Sequence, residues 1–209
     1  MSLRTRRWRG LERVNAVNRP LLRPCHTWGL LLSILSLLVA CAGPRPAPPW
    51  PSADSDGPAA VIPPDLWRMP DAEPRIEPLR FGGPNKPYVI FGQLHVPVLG
   101  DPAMVERGLA SWYGRKFHGR STANGETYDM FAMTAAHKTM PIPSYARIRN
   151  PANGREVVVR INDRGPFHPD RLVDLSYTAA LKLGLLGGVA AVEIERITCA
   201  AIRDGSWRR

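Results

Sequence analysis

Tyr145-Ala-Arg-Ile-Arg-Asn-Pro-Ala-Asn-Gly-Arg-Glu-Val-Val-Val-Arg-Ile-Asn-Asp-Arg-Gly-Pro-Phe167 decides the reading of this chain. Asn153-Gly154 sits between two runs of strand composition, and a turn there needs the positive φ that Asn-Gly adopts at little cost. A β-hairpin over 145–149 and 155–162 follows. In its second arm Val157, Val159 and Ile161 point one way, while Glu156, Val158 and Arg160 point the other. Working outward, Leu109-Ala-Ser-Trp-Tyr113 has strand composition and stops at Gly114, and Ala191-Val-Glu-Ile-Glu-Arg-Ile197 alternates as a final strand. Ser176 is placed to cap a short helix over Tyr177–Leu183, with Gly184 ending it. Strands with one or two short helices in about 90 residues imply a mainly β fold, a small barrel rather than a sandwich.

Upstream the texture changes. Pro87-Tyr-Val-Ile-Phe-Gly-Gln-Leu-His-Val-Pro97 reads as a short strand pair or arm, within an N-terminal arm over 81–107. Fifteen of the 22 prolines fall between Pro44 and Pro102, so 41–80 reads as a Pro-rich flexible tether. Before it, seven arginines against Glu12 give residues 1–40 a net charge of +6, followed by thirteen uncharged residues over 28–40. A membrane-spanning helix needs about 20 apolar residues. Thirteen after a basic leader fits a secretory signal peptide over 1–40. Leu38-Val-Ala-Cys41 resembles a bacterial lipobox, which makes Cys41 the expected lipidation site. Ala42, rather than Asp, in the following position matches the pattern of Gram-negative lipoproteins sent to the outer membrane.

The whole chain, at 209 residues and +10, first suggests nucleic acid or an anionic membrane. Removing the leader leaves +4, and nucleic acid drops out as an expected partner. Three scattered cysteines make neither a disulfide framework nor a zinc site. His118, His137 and His168 lack metal-ligand spacing, and neither a metal nor an organic cofactor is expected. No phosphate loop is present, and Ser111 and Ser121 lack a nucleophile elbow.

Ionisable residues cluster instead in loops beside strand ends. Ser121-Thr-Ala-Asn-Gly-Glu126 supplies a carboxylate after a turn, with Asp129 three residues on. Thr134-Ala-Ala-His137 supplies an imidazole between small residues. Asp163 ends the strongest strand, and Asp174 precedes the helix. Each taken singly also has a structural reading: a turn with a local ion pair, an exposed loop, or a charge favouring a helix N-terminus.

Together, the segments Gly108–Glu126, Thr134–Lys138, Ile161–Phe167 and Asp174–Ser176 resemble, in order, the rare lipoprotein A (RlpA) family. The resemblance covers about Lys86 to Ile197. It implies a six-stranded double-psi β-barrel over 108–198, the fold of expansins and one class of lytic transglycosylases. It also implies cleavage of peptidoglycan glycan strands, with strands stripped of stem peptides preferred. Glu126, His137 and Asp163 are the catalytic positions it assigns, with Asp129 and Asp174 second. Asp163 is the expected acid/base, with Glu126 and His137 orienting it or the sugar; exchange of the acid role to Glu126 stays open. Longer members carry a C-terminal SPOR domain, for which a tail over 199–209 leaves no room. Other cell-wall or division proteins are further expected partners. The expected function is a lipid-anchored lytic transglycosylase on the periplasmic face of the envelope. Its alternatives are a non-catalytic glycan-binding or wall-loosening barrel, and a structural lipoprotein that recruits other wall enzymes.

Overall fold

A computed structural model describes residues 56–79 and 82–208. The signal peptide, Cys41 and the first part of the tether lie outside the described residues. A hairpin of β1 (Tyr88–Ile90) and β2 (Gln93–His95) precedes six longer strands: β3 (Val105–Trp112), β4 (Thr134–His137), β5 (Ser144–Arg149), β6 (Glu156–Asp163), β7 (Arg171–Leu175) and β8 (Ala190–Ile197). These six close into a barrel in the order β3-β7-β4-β6-β5-β8. The pairs β3/β7 and β4/β6 are parallel and the other four antiparallel. The fold is mainly β, as expected.

Alternation puts Val157, Val159 and Ile161 of β6 into the barrel, where they meet Val173, Leu175, Val192 and Ile194. Each such side chain, fully buried, contributes about 1.5–3 kcal/mol. The β5–β6 turn closes as its sequence requires, with Gly154 at φ 72 and Asn150 Oδ1 accepting from the Ala152 amide (3.0 Å). Helix α1 (Tyr177–Leu183) starts at Ser176, whose hydroxyl accepts from the Ala179 amide, and stops at Gly184 with φ 73. Its Ala179, Ala180 and Leu183 join the barrel core. The tail is more ordered than expected: α2 (Cys199–Asp204) forms there, capped by Thr198. Ile202 and Trp207 pack on Tyr145, Val158 and Ile197.

Two irregularities decide which way the acidic side chains of β6 and β7 face. Opposite β4, β6 carries one extra residue, so Ala135 pairs with Ile161 but Ala136 pairs with Asp163. Opposite β3, β7 does the same: Leu109 pairs with Arg171 and Ala110 with Val173. A bulge of this kind turns the next side chain to the other face of the sheet.

The tether reading requires correction for 56–79, which lie against the barrel as a strap. Asp56 accepts from the amides of Gly114 (2.6 Å) and Lys116 (2.9 Å). Leu66 is buried beside Tyr113, Tyr128 and Met130. Asp71 and Ala72 bond the backbone of Val158, and Glu77 binds Arg160. Composition missed this because few of these contacts are apolar. A Cβ on Gly114 would collide with the Gly57 carbonyl oxygen and the Trp112 ring. Gly114→Ala is therefore expected to lift the first turn of the strap and cost about 1–3 kcal/mol in urea denaturation. An unchanged midpoint would mean that the strap contributes nothing there.

Candidate active site

Because of the two bulges, Ser111, Asp174, Ala136 and Asp163 stand side by side on the outer surface across β3, β7, β4 and β6. Asp174 and Asp163 flank Ala136, two strand spacings or about 10 Å apart at Cα. Strict alternation would have sent Asp163 inward after Ile161; the extra residue Asn162 is what turns it outward.

Asp163 is half-buried and bound on one side only. Its Oδ1 accepts from the amides of Ala123 (2.8 Å) and Arg164 (2.8 Å), which leaves Oδ2 without a protein partner among the described residues. Burial raises its pKa, the two amides oppose that, and the Asp174 charge adds to the rise. The loop that supplies the Ala123 amide is itself closed. Thr122 N bonds the Glu126 carbonyl (2.8 Å), and Asn124 Oδ1 accepts from Thr122 Oγ1 (2.7 Å) and the Glu126 amide (3.1 Å).

Asp174 accepts a short hydrogen bond from the Ser111 hydroxyl, and Ser111 accepts from Arg171 (3.0 Å). Burial raises the Asp174 pKa, while the Ser111 bond and the charges of Arg171, Lys138 and His168 counter it. Tyr113 packs flat on Tyr128 with centroids 4.0 Å apart. Its phenol pKa rises through burial first, with the Asp163 and Asp174 charges adding. Tyr113 is a core residue that backs the carboxylate row.

The remaining expected residues lie elsewhere. Glu126 Oε2 accepts from Arg160 (2.6 Å) and from Asn162 Nδ2 (3.0 Å). The Arg160 bond, above all, lowers its pKa, so Glu126 is a fixed anion beside Asp163 rather than a proton donor. His137 faces the other side of β4 from Ala136 and is 1% exposed. Its Nδ1 accepts from the amides of Thr139 (3.2 Å) and Met140 (2.9 Å), which puts the imidazole proton on Nε2. That Nε2 lies 3.6 Å from Glu106 Oε1, too far for a hydrogen bond, and both atoms are buried without a partner. Burial brings the His137 pKa down to about 4, so the ring is neutral at pH 7. Asp129 caps an exposed turn through the Phe131 amide (2.9 Å). The structure thus places Asp163 and Asp174 in one row, ties Glu126 to Asn162 and Arg160 of the same strand as Asp163, and turns His137 away.

Arg164 makes no ion pair with its neighbour. It donates to the carbonyls of Pro84 (2.9 Å), His137 (3.0 Å) and Met140 (2.6 Å) and to Asn85 Oδ1 (2.9 Å), pinning the N-terminal arm beside the row. Sequence reasoning missed Ser111, Arg171, Glu77 and Arg160. Ser111 and Arg171 meet Asp174 only through the β7 bulge, and Glu77 stands in a stretch whose composition reads as tether. No group of three or more possible metal ligands occurs among the described residues.

The like charge of Asp174 yields a testable sign. A general acid must be protonated, so if Asp163 is that acid, activity is expected to fall as pH rises through its pKa. Asp174→Asn removes a contribution that raises that pKa. The alkaline limb of kcat/KM is then expected to move to lower pH, read from a pH–rate profile on isolated glycan strands. A limb that stays put, or moves up, would separate the two carboxylates functionally.

Comparison with known proteins agrees with this architecture. The profile of a family described as "Lytic transglycolase", a double-psi β-barrel, matches residues 105–194. The endolytic peptidoglycan transglycosylase RlpA of Vibrio cholerae serotype O1 is 47% identical over 170 residues, covering 81% of this chain and 63% of that protein. Its counterpart in Pseudomonas aeruginosa strain UCBPP-PA14 is 45% identical over 172 residues, covering 77% of this chain and 50% of its own. That of Neisseria meningitidis serogroup A is 51% identical over 128 residues, covering 61% and 53%. The chain therefore spans between half and 63% of the length of these curated relatives. The closed six-stranded barrel and these matches converge: over residues 105–194 the chain matches the lytic transglycolase double-psi barrel, and it is similar to the RlpA proteins.

Proposed function

We propose that the chain is a lytic transglycosylase that cleaves peptidoglycan glycan strands, preferably peptide-free ones, and leaves 1,6-anhydromuramic acid ends. The observation that carries this reading is Asp163 Oδ2: a half-buried carboxyl oxygen at a rigid strand end, unbound, on a group whose pKa is raised. In the proposed reaction Asp163 protonates the leaving glycosidic oxygen as the C1–O bond breaks. Charge develops at C1 in an oxocarbenium-like transition state. The sugar's own 6-hydroxyl then closes on C1, and its proton returns to Asp163. One carboxyl serves both steps, and no water is consumed. The fixed anion of Glu126, held by Arg160, would favour positive charge developing at C1. His137 supports this indirectly, by holding the β4–β5 turn whose carbonyls anchor Arg164.

Lipidation of Cys41 and attachment to the periplasmic face of an outer membrane belong to the same proposal, supported by the lipobox-like Leu38-Val-Ala-Cys41. A second reading, a non-catalytic glycan-binding barrel, draws on a different observation. The hollow beside Glu126, lined also by Glu77, Asn124 and Arg160, and the hollow beside Phe167 both stop short of Asp163.

Incubating the purified chain with peptide-free glycan strands and resolving products by mass spectrometry decides between them. Anhydro-ended products are expected. Binding without any product favours the second reading, and reducing ends without the anhydro bridge would make the chain a hydrolase.

A further inference from the structure

The hairpin of β1 and β2 carries two costs that nothing among the described residues offsets. Its connection is Phe91-Gly92, with φ of 50 and 76, between the paired residues Ile90 and Gln93. Two positive φ values in a two-residue connection suit Asn-Gly or Gly-Gly; a phenylalanine at the first costs on the order of 1 kcal/mol or more. The ring is also 86% exposed. An aromatic side chain held in an unfavourable backbone conformation and in water points to a ligand outside the fold.

Beneath the tip lies a hollow of about 640 Å³ between the hairpin and the segment after Gly165-Pro166, lined by Ile90, Phe91, Gln93, His95, Phe167 and His168. Its floor is stiff. Tyr88 stacks on His95 with centroids 5.1 Å apart and meets the edge of Phe167 at 6.1 Å. The Tyr88 hydroxyl donates to the Lys138 carbonyl (2.8 Å), and Arg164 holds the arm's base at Pro84 and Asn85. Apolar ring faces with one amide and two imidazoles match a pyranose, which offers C–H faces for stacking and hydroxyls at its rim.

The hollow stops short of the carboxylate row, but the segment after Asp163 and one lysine link the two. Phe167 and His168 come soon after Asp163 in the chain, and the His168 charge acts on Asp174. Lys138 Nζ ties the two sides together, donating to the Arg171 carbonyl (2.6 Å) and the His168 carbonyl (3.4 Å).

We infer that this hairpin is a sugar-binding subsite, on which the same glycan strand lays a pyranose ring against Phe91 while Asp163 acts further along it. The inference rests on the glycan-strand reading of the site, and its occupant is the continuation of that polymer. The subsite makes the chain sensitive to strand length, since only a strand long enough to cover both places uses both.

The test uses the full chain carrying Phe91→Ala, Phe91→Leu or Phe91→Trp, with unchanged melting temperature as the check on folding. KM is measured on long peptide-free strands, and Kd on the same strands in an Asp163→Asn background. Phe91→Ala is expected to raise both about tenfold, Phe91→Leu to do nearly the same, and Phe91→Trp to match the parent. The effect should shrink as the strands are shortened. Unchanged KM and Kd in Phe91→Ala would overturn the subsite. So would a Phe91→Leu variant that binds like the parent, because a merely apolar contact tolerates leucine. Failure of the cleavage reading looks different: the parent chain then binds strands without anhydro products, and Phe91→Ala still weakens that binding.

Discussion

Asp163→Asn is expected to lower kcat on peptide-free glycan strands by about 10³-fold without unfolding the barrel. General acid–base catalysis is commonly worth 10²–10⁴-fold, and in the proposed reaction one group performs both transfers. The substitution is nearly isosteric, and the new side-chain carbonyl can still accept from the Ala123 and Arg164 amides. What disappears is the exchangeable proton. Stability should hold or rise slightly at pH 7. A carboxyl whose folded pKa is raised contributes its stability below its unfolded pKa and loses it as pH climbs through the folded one. An amide avoids that loss. Melting temperature and single-turnover product formation, measured on the same preparation, separate the two effects. Glu126→Gln is the control. It weakens the Arg160 pair but removes no donor from the reaction, so its loss of kcat should be well below that of Asp163→Asn. The reverse ranking would move the acid role to Glu126.

Arg160→Met should cost about 3 kcal/mol of stability, or roughly 10 °C in Tm for a domain of this size. The guanidinium forks between Glu77 (2.7 and 2.8 Å) and Glu126 (2.6 Å), and Glu77 also accepts from Tyr145 (2.5 Å). Methionine fills much of the volume but strands two carboxylates, one of them shielded from solvent. Lysine keeps the charge without the fork and should recover only part of the loss. The pH dependence comes from Glu77, whose pKa the Arg160 bond brings from 4.5 down to about 2. A depressed carboxylate pKa stabilises the fold above the unfolded value, and that contribution fades as pH falls from about 4.5 toward 2. The gap in Tm between parent and variant should therefore be wide at pH 7 and narrow toward pH 2.5. A gap that stays constant over that range would detach Arg160 from Glu77 energetically.

Much of the fold was legible because local signals repeat it. The Val157–Val159–Ile161 alternation, the Asn-Gly turn, and the Ser176 and Gly184 ends of α1 each specify their element without tertiary help. The carboxylate row was legible only as a set of names. Asp163 continues an unbroken alternation in sequence, and nothing local marks Asn162 as the extra residue that turns it outward. The strap was hidden for a different reason. Its attachments are backbone bonds, one buried leucine and isolated carboxylates whose partners stand 58 to 111 residues away, and a composition rule counts none of these. His137 was identified as an imidazole among small residues, but its direction depends on which face of β4 the barrel closes over.

The strap also sets a length. If Cys41 is held in a membrane, fifteen residues of chain separate that anchor from Asp56, which docks on Gly114, rather than the forty of the whole 41–80 stretch. Fully extended, fifteen residues span at most about 50 Å, against about 140 Å for forty. The reach of the barrel from such an anchor is then cut to roughly a third. On the proposed function, its glycan strands would come from the layer of wall nearest the anchoring leaflet, with strands beyond that shell out of range.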